Sequence, residues 1–397
     1  MKPEQVRRYA DQLVEFHKRF APLFYEKRQA HWAGKCLHGL LLDGVRKNAA
    51  GLARAVPGGN VQSMQQFLSD SPWDPAPVVA ELQTLVAEKL GEPDAVIVCD
   101  DTGFPKKGDK SVGVARHYSG TLGKVDNCQV GVFLAYVSGK GRSLVDEQLF
   151  VPQAWARSKK RRKEAQVPKE VAFRTKPQIA LQMIERAHRG ALPFRWVCCD
   201  DMYGNSGPFR DGLDALGLFY VAEVPSRTTA WIEKPPVREA GQGPLGRPRT
   251  KKSVEPGAPR AHALPALAGQ QQHWTTIEVR PGTKKPVRSK WAALRVYARR
   301  DGVPGREEWL LMERLGGQEH RYYLSNAPLA TPVGTLAQVA KKEWFVEPCF
   351  RDAKQHVGLG DFEVRKWPAW HHHMVMCMLA QAFLATLRRG SKKGLCS

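Results

Sequence analysis

Apolar residues recur at helical spacing through the first part of the chain. The stretches "VRRYADQLVEFHKRFAPLF" and "PVVAELQTLVAEKL" place apolar side chains three and four positions apart, which is typical of amphipathic helices. The turn-forming run Pro57-Gly58-Gly59 interrupts this pattern. We therefore predict an N-terminal helical domain over residues 1–92.

From residue 94 the pattern changes to short apolar runs that are typical of β-strands. After "VIVCD" comes "CQVGVFLAYVSGKGRSLVDEQLFVP", in which a Gly-Lys-Gly turn joins two runs and predicts a hairpin. "KPQIALQMIERAHRG" and "GPFRDGLDALG" predict helices, and "FRWVCCD" and "LFYVAEV" predict strands. The order β-β-β-α-β-α-β over residues 93–226 matches the first part of an α/β, ribonuclease-H-like core, a mixed sheet with flanking helices.

A basic segment follows this core. Residues 227–300 hold 16 Lys/Arg against 4 Asp/Glu, and residues 234–270 are rich in Pro, Gly and Ala. The runs "WTTIEV", "WAALRVYARR" and "EEWLLMERL" predict strands. We predict a basic β-rich insertion with a Pro/Gly-rich loop over residues 227–333, holding a small β subdomain, and a return to the helical part of the core over residues 334–397.

The charge of the chain points to a polyanionic partner. Lys and Arg number 61 against 39 Asp and Glu, a net charge of +22, while 42% hydrophobic residues are enough for a folded core. The eight cysteines show no C-x-x-C spacing, which favours reduced thiols in a cytoplasmic protein. The longest apolar stretch, residues 374–387, is too short to span a bilayer, so we predict no membrane association.

Acidic residues follow two of the predicted strands and lie in one late helix. Asp100 or Asp101 ends the first strand, Asp200 or Asp201 ends "FRWVCCD", and Glu347 lies in the late helical segment. Because adjacent strand residues face opposite sides, the pattern leaves both pairs of aspartates open. Two Asp and one Glu at a sheet edge are suited to bind a pair of hard cations, which clamp the attacking and leaving oxygens of a phosphodiester.

Basic residues accompany these acids. Lys106 and Lys107 follow the first aspartate pair, where they face phosphate if the acids hold metal ions. Lys354 lies seven residues after Glu347, about two helical turns, and therefore shares its helical face.

Other candidates have structural interpretations that we favour. His371, His372 and His373 are consecutive on a helix and point in different directions, so we predict structural or surface roles for them. Trp367 and Trp370 are predicted core residues, with stacking on a flipped base as the alternative. Glu363 is an alternative third acid in a segment of weaker helical character.

Long stretches resemble one known family. "DDTGFPKKGDKSVGVARHYSGTLGKVDNCQVGVFLAYVS", "CDDMYG" and "WFVEPCFRDAKQHVGLGDFEVRKWPAWHHH" look like the DDE transposases of bacterial insertion sequences, the DDE superfamily endonuclease group. The resemblance extends over nearly the whole chain, including "FLSDSPWD" in the helical N-terminus.

The resemblance implies a set of roles. It selects Asp100 and Asp200 over their neighbours and gives Glu347 as the third catalytic acid and Lys354 as a phosphate contact. It implies that the three acids hold two Mg²⁺ ions, with Mn²⁺ able to substitute. It also implies cut-and-paste transposition on double-stranded DNA, at element ends and target, by a homodimer associated with the bacterial nucleoid.

One residue departs from the family pattern. Where an arginine commonly stands four residues before the catalytic glutamate, this chain has Glu343. The alternatives are therefore a catalytically impaired DNA-binding protein derived from a transposase, or a metal-dependent nuclease without strand transfer. In each case the basic insertion is predicted to follow the DNA backbone through Lys251, Lys252, Lys284 and Lys285.

Pro348 directly follows the third acid. Thr335 and Gln338 resemble a capping box that opens a helix near residue 336 and continues it through Lys354. A proline inside that helix lacks an N–H and collides with the preceding turn. We predict a kink or break between Glu343 and Pro348, with Glu347 at or beside the start of the second piece, or Pro348 itself opening a separate helix.

Overall fold

The computed structural model describes residues 3–119, 123–190, 192–241, 250–280, 282, 285–317 and 319–393. Within it the chain divides into two units. Unit 1 combines Met1–Phe194 with Phe345–Ser397, and unit 2 is Arg195–Trp344. These boundaries differ from those of the four predicted segments, because the N-terminal and C-terminal helices share the core of unit 1.

Within the described residues, helices and strands occur in groups along the chain. The helices are α1 (Pro3–Phe20), α2 (Lys27–Leu41), α3 (Ala49–Ala55), α4 (Val61–Ser69), α5 (Pro75–Leu90), α6 (Gln153–Arg157), α7 (Lys159–Glu164), α8 (Lys176–Arg189), α9 (Asp201–Gly204), α10 (Gly207–Ala215), α11 (Leu264–Gly269), α12 (Val333–Ala340), α13 (Val346–His356) and α14 (Trp367–Lys393). The strands are β1 (Val96–Pro105), β2 (Ala115–Ser119), β3 (Lys124–Ser138), β4 (Gly141–Leu149), β5 (Trp196–Cys199), β6 (Phe219–Val224), β7 (Thr229–Trp231), β8 (Val237–Arg238), β9 (Ser253–Val254), β10 (His262–Ala263), β11 (Thr275–Arg280), β12 (Val287–Arg300), β13 (Val303–Gly316) and β14 (Glu319–Ser325).

The sheet of unit 1 is built around β3, which pairs antiparallel with β1, β2 and β4. The predicted Gly-Lys-Gly hairpin is present between β3 and β4. Helix α14 packs on α2, α4, α5 and β4, and Trp370, Met374 and Leu379 on α14 are buried. The longest apolar stretch of the sequence is therefore core. Gly131 of β3 makes room for this helix, since a Cβ there would lie 2.9 Å from the Trp370 ring.

The sheet of unit 2 extends from β5 into the insertion. Strand β5 pairs parallel with β6, β6 pairs antiparallel with β14, and the order continues through β13 and β12 to β7 and β10. Helix α11 packs its Leu264 and Leu267 against the apolar face formed by residues such as Val296 and Leu310. The strands of the β-rich insertion thus continue the sheet of β5 and β6, and the predicted small β subdomain stays a prediction. Strands β11, β12 and β13 were predicted, whereas β14 was not.

The first acidic pair lies inside a strand. Strand β1 continues through Asp100 and Asp101 as far as Pro105, paired with β3 along its whole length. The expectation that the strand ends at the aspartates is wrong, because ladder hydrogen bonds to β3 override the low strand propensity of Asp and Gly.

The predicted break before Pro348 is confirmed. Helix α12 ends at Ala340, a single 3₁₀ turn covers Glu343–Phe345, and α13 begins at Val346 with Glu347 as its second residue. Pro348 is therefore the third residue of α13, within the first turn, where no intrahelical N–H bond is required. The capping box at Thr335 is wrong, because α12 begins earlier, after Pro332.

None of the helices within the described residues is both long enough and apolar enough to cross a membrane.

Candidate active site

Asp100 and Asp101 face opposite sides of β1, and the two sides meet different elements of unit 1. On one side, Asp101 Oδ2 forms an ion pair with Lys176 Nζ at the start of α8, at 2.8 Å. On the other side lie Asp100 and Thr102, since alternate strand residues share a face. Thr102 Oγ1 accepts a hydrogen bond at 2.8 Å from Nζ of Lys354 on α13. Asp100, not Asp101, therefore lies on the side of β1 that α13 contacts.

Helix α13 presents Glu347 and Lys354 from one face, as the spacing predicts. Glu347 is exposed in the first turn, and Lys354 is half-buried in the last. Besides Thr102, Lys354 Nζ approaches the Gly103 carbonyl at 3.4 Å. Burial lowers the pKa of Lys354, and these oxygen partners orient its ammonium along β1.

Asp200 begins a short helical turn in unit 2. Strand β5 ends at Cys199, as predicted, and Asp200 is the N-cap of α9. Its Oδ1 accepts hydrogen bonds from the backbone N–H groups of Met202 at 3.1 Å and Tyr203 at 3.3 Å. Asp201 is instead an exposed residue of the first turn. The two aspartates therefore differ: Asp200 is half-buried and fixed by the backbone, whereas Asp201 projects from the helix.

The Tyr-Gly pair after Asp200 has a packing role. Tyr203 is fully buried. Gly204 lies so close to β6 that a Cβ would come within 1.9 Å of the Glu223 carbonyl oxygen. Only glycine fits there. In the Asp-x-x-Tyr-Gly sequence, the buried tyrosine therefore anchors the turn, and the glycine allows the turn to pack closely against β6.

Glu343 belongs to a cluster of charges in unit 2. It is half-buried, and burial together with the nearby carboxylates of Glu223 and Asp200 raises its pKa to about 8, although Arg321 and Lys341 oppose the shift. The Glu343 carboxyl is therefore largely protonated at neutral pH. Where the family pattern has a permanent cation, this chain presents a mostly neutral hydrogen-bonding acid.

The predicted phosphate-binding lysines of unit 1 have different environments. Lys106 lies 3.5 Å from the centre of the Phe362 ring, and its Nζ donates a hydrogen bond to the Phe362 carbonyl at 3.1 Å. Burial lowers the pKa of Lys106 to about 8. Lys107 is exposed. Lys107 is thus available at the surface, whereas Lys106 would have to leave an aromatic and a carbonyl partner to reach a phosphate.

The insertion lysines are exposed where they are described. Lys251 and Lys285 are exposed, and Lys252 forms an exposed ion pair with Glu239 at 2.9 Å. Lys284 lies outside the described residues.

The three histidines have structural roles, as predicted. His371 Nδ1 lies 2.7 Å from Glu147 Oε1, His372 contacts the carbonyls of Leu68 and Trp73, and His373 Nε2 contacts the Gly358 carbonyl at 2.9 Å. All three are buried in unit 1, and burial lowers the pKa of His372 and of His373 to about 4.

The remaining alternatives also lie in unit 1. Trp367 and Trp370 are buried core residues. Glu363 lies in the loop between α13 and α14 and pairs with Arg46 at 2.6 Å. Its carboxylate thus forms an exposed ion pair with Arg46, and Glu363 does not belong to the α13 face that carries Glu347.

The carboxylates suit a hard divalent ion by their chemistry, because Asp and Glu oxygens are the side-chain ligands that Mg²⁺ prefers. Asp100 and Glu347 belong to unit 1 and Asp200 to unit 2. Within the described part of either unit, no three His, Cys, Asp or Glu side chains are gathered closely enough to hold a metal by themselves. The ligand set of three carboxylates therefore stays a prediction.

Two residues near these acids were missed from the sequence. Thr102 is two positions after Asp100, so strand alternation alone would have placed it on the same face. Arg210, in α10, donates to the Gly204 carbonyl at the end of the Asp200 turn. No local pattern marks this arginine, since its acidic neighbour, Glu308 on β13, is distant in sequence.

Comparisons with known proteins identify the family of the chain. A family model described as DDE superfamily endonuclease matches residues 19–286. The chain is also 33% identical, over 233 residues, to a protein of Microchaete diplosiphon described as a probable transposase for insertion sequence element IS701. That match covers 57% of this chain and 56% of the relative, so the chain spans just over half the length of this relative. The family match includes Asp100 and Asp200 and ends before Glu347.

Proposed function

Because the chain belongs to the DDE superfamily endonuclease family, we propose that it is a bacterial insertion-sequence transposase that cuts DNA at element ends and joins them to target DNA. The predicted fold class is confirmed: the chain is α/β, with mixed strands and flanking helices consistent with a ribonuclease-H-like core. The proposed catalytic residues are Asp100, Asp200 and Glu347.

One observation carries this proposal furthest. The hydrogen bond from Lys354 to Thr102 ties α13 to the side of β1 that carries Asp100. Asp100 on β1 and the α13 face that carries Glu347 and Lys354 therefore lie on the same side of β1 in unit 1. This supports a site in which acid and ammonium groups act on the same phosphodiester.

The proposed residues have separable tasks. Asp100, Asp200 and Glu347 would hold two Mg²⁺ ions, and Mn²⁺ would be tolerated because it accepts the same oxygen ligands. When bound, these ions supply charge neutralisation and a more acidic water molecule. Lys354, oriented by Thr102, would bind a phosphate oxygen and place the scissile bond. Exposed insertion lysines and Lys107 would follow the DNA backbone.

The test is cleavage of DNA that carries the ends of the protein's own element, in Mg²⁺ and with a target duplex. Asp100→Asn, Asp200→Asn and Glu347→Gln should each lower the cleavage rate by at least about a hundredfold, while DNA affinity changes little. Asp101→Asn and Asp201→Asn are matched controls one residue away and should retain cleavage within about tenfold. If a control is as inactive as its neighbour, the assignment within that pair is wrong.

The products of this reaction separate the alternatives. Cleaved ends joined to target DNA indicate a cut-and-paste transposase, and cleaved ends without joined products indicate a nuclease. Specific binding with no cleavage in either metal would indicate a DNA-binding protein that has lost catalysis. Glu343, at the position where the family commonly has an arginine, favours this as the second candidate. A homodimer on DNA in the bacterial cytoplasm is part of the proposal, and the mass of the protein–DNA complex tests its stoichiometry.

A further inference from the structure

The turn that carries Asp200 is closed at its far end by a buried arginine. Helix α9 is only four residues long, and its last carbonyl, that of Gly204, accepts a hydrogen bond from Arg210 Nη1. Arg210 belongs to α10, which begins after Ser206, and is 4% exposed. The guanidinium thus reaches back across the bend between the two helices. It satisfies a carbonyl that a longer helix would have used in its own ladder.

A buried acid lies beside the guanidinium at ion-pair distance. Glu308 on β13 is fully buried, and its Oε1 lies 3.9 Å from Arg210 Nε. The same oxygen accepts hydrogen bonds from the Tyr220 hydroxyl and, at 2.9 Å, from Arg300 Nη2. Removing these charges from water costs free energy. Replacing a buried ion pair with apolar residues often leaves the stability of a protein unchanged or increases it. The network is therefore better explained by the geometry that it imposes than by the stability that it adds.

The opposite side of the turn is fixed as well. The Gly204 N–H donates to the Asp200 carbonyl at 2.8 Å, and the Gly204 Cα presses against the backbone of β6. The Asp200 side chain caps the same turn through Met202 and Tyr203. A shift of the Gly204 peptide would therefore be transmitted within one helical turn to the carboxylate of Asp200.

From this arrangement we infer that Arg210 is a positioning residue: through the Gly204 carbonyl it fixes the turn that aims the Asp200 carboxylate, and its guanidinium lies beside Glu308, which Tyr220 and Arg300 fix in turn. The role in the reaction rests on the proposed function of Asp200, whereas the ordering of the turn does not. Arg210 contacts neither DNA nor metal in this scheme.

The first test measures order without activity. Hydrogen exchange of the full-length chain is followed in peptides that cover residues 198–212, for the wild type, Arg210→Met and Arg210→Lys. Loss of a charged hydrogen bond should raise exchange in the Asp200 turn by about tenfold in Arg210→Met, with a smaller rise in Arg210→Lys. Peptides from β12 and β13 should remain protected. No change at the turn, or an equal rise throughout unit 2, would overturn the inference.

A matched control is available in unit 1. Arg162 also donates to backbone carbonyls, those of Ala156, Pro168, Lys169 and Val171, so Arg162→Met removes more hydrogen bonds of the same kind than Arg210→Met does. It should raise exchange around residues 156–171 and leave the Asp200 turn unchanged.

The second test uses the reaction. A misplaced Asp200 should weaken metal binding, so Arg210→Met should raise the Mg²⁺ concentration for half-maximal cleavage by about tenfold or more, with partial recovery in Mn²⁺. Arg162→Met should lower only the fraction of folded protein, with no change in Mg²⁺ dependence. An unchanged Mg²⁺ dependence in Arg210→Met would overturn the positioning role. If the wild type cleaves no DNA, the proposed function fails, and hydrogen exchange alone decides whether Arg210 orders the turn.

Discussion

Lys354 Nζ and Thr102 Oγ1 lie 2.8 Å apart, although 252 positions separate the two residues along the chain. Thr102 is buried on β1, and Lys354 is the lysine that the family resemblance assigns to phosphate. In the proposed mechanism the hydroxyl therefore holds the ammonium in one orientation before DNA binds. A side chain that is ordered in advance loses less conformational entropy on binding than a mobile surface lysine would.

The first prediction concerns this hydrogen bond. Thr102→Val keeps the shape of the side chain and removes the hydroxyl, so the single-turnover cleavage rate should fall by about tenfold. Thr102→Ser keeps the hydroxyl and should stay close to wild type. The comparison is made at saturating DNA, and a Thr102→Val variant that matches Thr102→Ser would show that the bond has no part in the reaction.

The second prediction follows from the raised pKa of Glu343. Its usual pKa is 4.5 and its value in the folded chain is about 8, so between these two pH values only the unfolded state ionises. The free energy of unfolding must then decrease as pH rises from about 4.5 to about 8. Glu343→Gln removes this slope and should exceed wild type in stability by on the order of 2–4 kcal/mol at pH 8.

Denaturant titrations in metal-free buffer at several pH values measure this difference. The stabilisation by Glu343→Gln should shrink toward zero as pH falls to 4.5. The exposed Glu233 in the same unit offers a matched control substitution to Gln. A constant difference between Glu343→Gln and wild type across this range would contradict the assigned pKa.

The third prediction has the opposite sign and belongs to unit 1. Burial lowers the pKa of His373 from 6.5 to about 4, so on acidification the unfolded state binds a proton first. Stability should therefore fall as pH drops from about 6.5 to about 4, by on the order of 1–3 kcal/mol for this residue. His373→Gln keeps a donor for the Gly358 carbonyl and should flatten that part of the pH profile. The exposed His38 provides the control substitution to Gln.

The fourth prediction concerns the basic insertion. Replacing Lys251, Lys252, Lys284 and Lys285 with Gln should reduce the slope of log affinity against log salt by about 0.9 for each lysine that binds a phosphate in the wild type. Lys252 should contribute least, because it is already paired with Glu239. Lys18→Gln, which removes an exposed lysine paired with Glu15 in unit 1, is the matched control. An unchanged slope in the fourfold variant would exclude these lysines from the DNA interface.

Local chemistry made the break before Glu347 predictable from sequence. Pro348 lacks an N–H, and this effect is independent of tertiary structure. The bias of the residue before a proline away from helix is overridden here, because Glu347 is the second residue of α13. The end of β1 was missed for the opposite reason. Asp100 through Pro105 has poor strand propensity, and only its pairing with β3, about 30 positions later, keeps it extended.

The choice between Asp100 and Asp101 shows the same limit. Strand alternation predicts that the two side chains face opposite sides of β1. It does not predict that the Asp100 side contacts α13, through Lys354, or that the Asp101 side contacts α8, through Lys176. Both partners are distant in sequence, so the residues alone left the pair open. The role of Arg210 could not be predicted for the same reason, because Glu308, the acid beside it, lies on β13.

The division of the chain also has a consequence for biosynthesis. Unit 1 is made of two pieces, and the 150 residues of Arg195–Trp344 are translated between them. At roughly 5–20 residues per second, the ribosome needs about 8–30 seconds for this stretch. During that time the first piece lacks α14, whose Trp370 and Met374 fill its core. The faces of α2, α4 and α5 that contact α14 in the complete chain therefore have no such partner until that helix is synthesised.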